Sequence, residues 1–271
     1  MTLAIERSGP VLRITLNRPE LRNAMSLRMV AELRAALEAA ETEGVVRVIV
    51  LRGAGGNFCA GADLKDMAQA RMQAMQGEPR TEAVGVSPDA VAHANRQFGE
   101  LCAAYARTPL ALVAVLEGSI MGGGFGLACV ADVALACESA LFRLPETALG
   151  LVPAQIAPFL VERLGYSQAK RLAVTGGRVV AADALTIGLV HSVHAADRIE
   201  AAVAGVVADI LACAPGALAA TKALIGRARL SAAADLVQEA ALVFSRAAQG
   251  AEGVEGTTAF LQKRKPSWAM P

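Results

Sequence analysis

The stretch GSIMGGGFGLACVAD, Gly118 to Asp132, decides how this chain is read. Three glycines stand together at Gly122, Gly123 and Gly124, a fourth follows at Gly126, and an apolar run leads to Asp132. Glycine loses more backbone entropy on folding than any other residue. A cluster of them therefore marks a tight turn or a close approach of the backbone to something else. Just upstream, PLALVAVLEG (109–118) is an apolar run of strand length, buried on both faces if its neighbours are parallel. A strand, a glycine turn and a helix starting near Gly124 would point unpaired N–H groups at the turn, with the positive helix end behind them.

Working outward, strands and helices alternate. VLRITLN (11–17) and VVRVIVLRG (45–53) are rich in β-branched residues and closed by turn residues, so both read as strands. Between them, SLRMVAELRAALEAAETEG has helical period, with Ser26 placed to cap its start and Gly44 to end it. DVALAC and ALFRL read as two further short strands, and the β–α–β rhythm argues an α/β fold. From about Pro153 the pattern turns helical: PAQIAPFLVERLG, SQAKRLAVTG, AADALTIG, then three longer segments up to Phe260. QARMQAMQGEPRTEAVGVSPD (69–89) is polar and punctuated by Gly and Pro, which predicts a long surface loop or lid.

Composition excludes several classes. The chain has 271 residues, enough for one large core, and a formal net charge of +1, which gives no reason to expect nucleic acid. No apolar run reaches the ~18 residues of a membrane span, and no basic region precedes an apolar one at the start, so neither a membrane span nor a signal peptide is expected. The five cysteines (59, 102, 129, 137, 213) show no CxxC spacing and read as small buried hydrophobes in a reducing cytosol, hence a cytoplasmic protein. His191 and His194 stand three apart without acidic or cysteine ligands nearby, so no metal site is expected.

The glycines do not bind phosphate in a recognised way. Leu127 stands where G-x-G-x-x-G needs its last glycine, and Gly56 to Ala62 has P-loop spacing with Ala62 where the lysine belongs. A second glycine-rich turn, GAGGNFCAGADLKDM (53–67), also follows a strand and runs into a helical segment. Two such turns from one sheet can aim two N–H groups at a single carbonyl oxygen, an oxyanion hole. The plainer reading is two unrelated turns.

At this point LNRPELRNAMS, NFCAGADLKDM, GSIMGGGFGLACVADVALA, FRLPETALGLVPA and AFLQKRKP, in that order over nearly the whole chain, resemble the signatures of the crotonase superfamily of enoyl-CoA hydratases and isomerases. The resemblance implies a spiral of ββα units over residues 1–195 and a helical C-terminal region over 196–271 for oligomerisation and CoA covering. It also implies a homotrimer or a hexamer made as a dimer of trimers. Acyl-CoA is the implied substrate, coenzyme A entering only as part of the thioester, with no prosthetic group. By the same resemblance, the oxyanion donors fall on the N–H groups of Ala62 and Gly123, flanked by Ala60, Gly61, Asp63 and Gly122. Arg22, the backbone at Ala24 and Lys65 fall on the CoA path. Phe260 and Lys263 fall where family members reach a neighbouring subunit's CoA, although a charged tail is ordinarily just solvated.

The family's hydratases carry one glutamate after the glycine turn and another in a later PE dipeptide. Here the first position is Gly126 and the second is Glu146. A glutamate beside Pro145, after an apolar strand, can be drawn into a partly apolar pocket where desolvation raises its pKa and suits it to acid–base work. The space at Gly126 should be packed by substrate or by another side chain. GLVPAQIAPFLVERLG (150–165) departs from the glycine-rich segment common in hydratases; Gln155 there either helps to hold water or faces solvent at a helix start. Glu117 is either a polar neighbour of the site or a strand-end residue.

Three readings of function stand: hydration of a 2-enoyl-CoA, double-bond isomerisation by the same glutamate, and acyl-CoA or RNA binding without turnover. The wording of RNAMSL, FCAGADLKDMA and LPETALGLVPAQIAP also resembles the branch that hydrates branched glutaconyl-CoA esters, the isohexenylglutaconyl-CoA hydratases of acyclic terpenoid breakdown. Such a substrate has a distal carboxylate, for which Arg71, Arg80 and Arg96 are the candidate partners.

Overall fold

A computed structural model describes residues 1–76 and 90–269. Strands β1 (Leu3–Ser8) and β2 (Val11–Leu16) form an antiparallel hairpin, and helix α1 (Leu27–Glu43) follows. The Ser26 hydroxyl accepts the Met29 N–H at 3.1 Å and Gly44 closes the helix in the left-handed region, as the sequence predicts; such a cap contributes about 1 kcal/mol. Met29, Leu33, Leu37 and Ala40 form the buried stripe of α1. Then come β3 (Val48–Gly53), α2 (Leu64–Gln76), α3 (Ala90–Arg107), β4 (Ala111–Leu116), β5 (Ser119–Met121), α4 (Gly123–Val130), β6 (Val133–Cys137) and β7 (Leu141–Arg143).

β4 and its neighbours show why the sheet reads as continuous apolar runs. Side chains alternate between the two faces of a strand, and both faces are covered. Leu112, Ala114 and Leu116 of β4, with Ile49 and Leu51 of β3, join a core that includes α1, α3 and α4. Ala111, Val113 and Val115, with Val48 and Val50, meet Ile199 and Val203 of helix α7 (Ile199–Ala212) on the other side. The six-stranded sheet runs β1-β2-β3-β4-β6-β9, parallel from β2 onward, where β9 is Ser192–His194. A second sheet, β5-β7-β8 with β8 at Arg178–Val180, collects the short strands that follow β4 and β6 together with the one that follows α5. Thus β4–β5–α4 and β6–β7–α5 (Ala157–Thr175) are successive ββα units, and the α/β spiral expected from the resemblance is present. β8, β9 and the opening β1 are too short or too polar to announce themselves in the sequence. After α6 (Ala181–Thr186) and β9, the described chain is helical: α7, α8 (Pro215–Ala228), α9 (Ala233–Gln249) and α10 (Ala251–Leu261).

The segment expected to be a loop is corrected in part. Residues 69–76 belong to α2, whose period-3.6 pattern outweighs its polar composition; residues 77–89 lie outside the described residues. Four cysteines are buried and free as expected, but Cys213 is exposed at the end of α7. Among the described residues no single helix is long and apolar enough to cross a membrane, and no cluster of metal-ligating side chains occurs.

Candidate active site

Three consecutive glycines serve three different needs. Gly122 caps α4 with φ +49°, a left-handed value that other residues adopt at a cost, and a Cβ there would stand 3.2 Å from Glu146 Oε1. Gly123 opens α4, and its backbone N–H is a first-turn donor with no acceptor among the described residues. Gly124 lets α4 lie on the 57–61 segment: a Cβ there would come within 2.7 Å of the Cys59 carbonyl oxygen. The helix behind them is apolar all round, and every residue from Gly124 to Val130 is buried.

The second glycine turn is brought alongside. Cys59 and Ile120 form a parallel bridge, with Cys59 N–H donating to the Ser119 carbonyl at 3.0 Å and Met121 N–H to the Cys59 carbonyl at 2.9 Å. Gly61 has φ +102°, and its Cα lies 3.5 Å from the Cβ position of Gly122. The turns meet edge to edge, with Ala62 following one and Gly123 the other. Ala62 N–H has no acceptor among the described residues, although Gly61 and Asp63 on either side exchange hydrogen bonds with Met25. The structure therefore holds two free donors on adjoining turns, the arrangement an oxyanion hole requires.

Asp63 is buried and committed. Its carboxylate pairs with Arg18 at 2.7 Å and accepts the Lys65 N–H at 2.9 Å, and these partners hold its carboxyl below the ordinary range against the opposing effect of burial. Arg18 also donates to the Ala24 carbonyl at 2.8 Å. Asp63 thus braces the backbone beyond Ala62 while Lys65 stays exposed. The sequence reading missed Asn23, which is fully buried in a left-handed conformation and ties three turns together. It donates to the Ala54 and Asn57 carbonyls and accepts the Arg18 N–H. The signal was available: asparagine is the residue that best tolerates that conformation after glycine. Arg22 is exposed, and its carbonyl accepts the Ala60 N–H at 2.9 Å.

Glu146 follows Leu144 and Pro145 at the end of β7 and starts a turn of 3-10 helix over Thr147–Leu149. Its side chain is half-buried, burial pushes its carboxyl above the ordinary value, and Oε2 is buried without a hydrogen-bond partner among the described residues. An unpartnered buried carboxylate oxygen is costly unless something visits it. The position of Gly126 is filled by a side chain: a Cβ there would collide with Ile156 Cγ2 and stand 3.6 Å from Phe98. The Phe98 ring also lies 3.1 Å from the Cβ position of Gly123. One turn along α4 from the Gly122–Glu146 contact, then, the helix is walled by apolar side chains.

Gln155 is not held in that space. Its amide donates to Asn95 at 2.9 Å on α3, its side chain packs over Gly99, and it is half-buried. Glu117 takes the strand-end role, paired with Arg52 at 3.1 Å. Arg96 is engaged by His93 and Glu100, Arg80 lies outside the described residues, and Arg71 makes no ion pair among them. A cavity of about 290 Å³ is lined by Leu64, Met67, Ala68 and Arg71 of α2 and by Leu149 and Leu151, whose N–H groups both donate to the Glu146 carbonyl. Phe260 and Lys263 are exposed at the end of α10.

Two backbone donors on meeting turns stand beside a carboxyl raised by burial. The family model "Enoyl-CoA hydratase/isomerase" matches residues 6–271, and the chain belongs to that family. It is similar to the 2,3-dehydroadipyl-CoA hydratase of Escherichia coli, 32% identical over 98% of both chains. It is also similar to AtuE of Pseudomonas aeruginosa (50% identity, all of both chains, TM-score 0.92). An enoyl-CoA hydratase/isomerase from Marinobacter aquaeolei matches 99% of both chains at 47% identity and TM-score 0.92. The protein is an acyl-CoA hydratase or isomerase, acting on CoA thioesters.

Proposed function

We propose that the protein hydrates a 2-enoyl-CoA, with the thioester oxygen received by Ala62 N–H and Gly123 N–H and with Glu146 as the single acid and base. The observation that carries this reading is Glu146 itself, whose Oε2 is buried without a partner among the described residues and whose Oε1 stands beside Gly122. As a carboxylate, Glu146 accepts a proton from water while the water oxygen bonds to C3. The C2–C3 electron pair moves to the thioester, whose oxygen takes up negative charge between the two N–H groups. Glu146 then returns the proton to C2, so one group accounts for both transfers.

The substrate class proposed is a 3-branched, glutaconyl-type thioester. The cavity between α2 and residues 149–151 is lined mainly by apolar side chains and has Arg71 as the cation in its lining, which suits an apolar tail ending in a carboxylate. A relative named for a dicarboxylic acyl-CoA, 2,3-dehydroadipyl-CoA, accords with this. Arg22 and Lys65, both exposed, are the residues assigned to the CoA path in this reading. Phe244, Phe260 and Leu261 are exposed apolar residues on α9 and α10, and they support assembly as a trimer, or as a dimer of trimers, in which Phe260 and Lys263 meet a neighbour's CoA.

The apolar wall of Phe98 and Ile156 favours a second reading, isomerisation, because a one-carboxylate site can move a proton between C2 and C4 without water. Mass spectrometry of a 2-enoyl-CoA incubation separates the two. Gain of one water establishes hydration; an unchanged mass with a displaced double bond overturns it.

A further inference from the structure

The far end of α4 holds a feature that the site chemistry has not used. Arg163 projects from α5 onto the C-terminal carbonyls of that helix. Its guanidinium donates to Cys129 O at 3.0 and 3.2 Å and to Ala131 O, and it lies 3.2 Å from His191 Nε2. The carbonyls that end a helix have no partners within it, and the helix carries partial negative charge there. Arg163 supplies both the missing donors and the opposite charge.

His191 adds no second cation. Burial and the nearby guanidinium hold its pKa below the ordinary value, while the Ala134 N–H donates to its Nδ1 at 2.9 Å. Asp132, a carboxylate whose charge acts on both Arg163 and His191, is matched by Lys222 at 2.5 Å. The charge aligned with α4 is therefore that of Arg163, and the other end of the same eight-residue helix is the Gly123 N–H.

We propose that Arg163 is a positioning residue for the oxyanion site: it fixes α4 end-on toward the thioester and strengthens the positive field at Gly123 N–H. The helix is about 12 Å long. Over that distance, at an effective dielectric of about 20, a unit charge acting on a full oxyanion is worth about tenfold in rate. The proposal rests on the thioester oxygen lying at Ala62 and Gly123, and it holds for hydration and isomerisation alike.

The experiment uses a chromophoric aryl-conjugated enoyl-CoA, whose absorption moves to the red when its carbonyl is polarised. Wild type, R163K and R163Q are compared for that shift, for kcat and KM with substrate, and for melting temperature. R163Q is expected to fold, to lose much of the shift and to fall about tenfold in kcat with KM within about twofold. R163K, which keeps the charge, is expected to retain most of both. A folded R163Q with the full shift and kcat overturns the proposal. So does an R163K that loses the shift completely, and this second variant carries the test if R163Q does not fold. A wild-type protein that gives no shift at all overturns the placement of the thioester oxygen together with the proposal, which tells the two failures apart.

Discussion

Ile156 stands in the space that a side chain at position 126 would need: its Cγ2 lies well inside the 3.0 Å that real Cβ contacts do not breach. The missing carboxylate at Gly126 is therefore not an open gap awaiting substrate. It is one half of an exchange, in which a small residue on α4 admits a branched one from the segment before α5. With Phe98 it makes the surroundings of Gly126 apolar, while Glu146 stands beside Gly122 where the two glycine turns meet.

That isolation makes Glu146 decisive. Glu146→Gln keeps size and polarity but removes the base, so turnover should fall at least ~100-fold while CoA-thioester binding persists. Because burial raises the carboxyl above its ordinary value near 4.5, the acid limb of kcat/KM in the wild type should lie above the usual carboxylate range. Steady-state kinetics across pH checks both. A variant with near-normal activity would remove Glu146 from its role.

The same substitution should raise stability. A carboxyl whose pKa is higher folded than unfolded contributes stability that is complete below the unfolded value and is lost as pH rises through the folded one. Above that window the wild type carries a partly desolvated charge, and the glutamine variant does not. Melting curves should therefore place Glu146→Gln above wild type near neutrality, with the gap closing toward pH 4. A gap that instead widens as pH falls would contradict the assigned direction.

Position 123 separates the donor from the turn. It is the first residue of α4, where proline's missing N–H costs the helix nothing, so Gly123→Pro removes mainly the N–H proposed to hold the oxyanion. Phe98 lies 3.1 Å from any Cβ placed there, so Gly123→Ala must be made alongside to measure that crowding with the N–H intact. Proline should lower kcat by about 100- to 1000-fold and alanine by much less. Equal losses in two folded variants would mean crowding, not the donor, matters at this position.

How much of this was legible beforehand follows from what local pattern can encode. The alternation that splits Leu112 and Val113 between two buried faces, and the Ser26 and Gly44 caps, are short-range and were readable. β5, β8 and β9, three residues each, take their conformation from pairing with distant strands, and no periodicity fits into three positions. In the site, the glycines and Glu146 stood out because few structures need them. Ile156 did not, since its meaning depends on facing Gly126 across two helices. Asn23 hid for the same reason: the carbonyls it donates to, of Ala54 and Asn57, lie more than thirty residues along the chain.

Arg71 tests the proposed substrate class. If it receives a distal carboxylate, Arg71→Met should raise KM for a glutaconyl-type thioester by about 10-fold or more and leave a simple alkyl enoyl-CoA within about 2-fold, a difference of the size lost with a charged hydrogen bond. The measurement is a pair of specificity constants on each protein. Equal effects on both substrates would make Arg71 a general wall residue of the cavity rather than a carboxylate partner.

The exchange between Gly126 and Ile156 predicts a reciprocal pair. Gly126→Glu alone forces a long side chain against Ile156 and should destabilise by ~1–3 kcal/mol, as overpacking does. It also sets a second carboxylate near Glu146, raising the cost of ionising both. Ile156→Gly alone leaves a cavity and should also destabilise. Combined, the two changes relieve each other: the glutamate gains the space the isoleucine leaves, and the double variant should be more stable than the sum of the singles by a coupling of 0.5 kcal/mol or more. In function, the double variant should gain on crotonyl-CoA, because two carboxylates can now hold the water, and should lose on a 3-branched enoyl-CoA, whose branch the apolar wall suits. Thermal melts of the four proteins and specificity constants on the two substrates decide it. Strict additivity in stability would show that the residues do not share the space. A parallel rise on both substrates would show that the wall plays no part in selecting the branch.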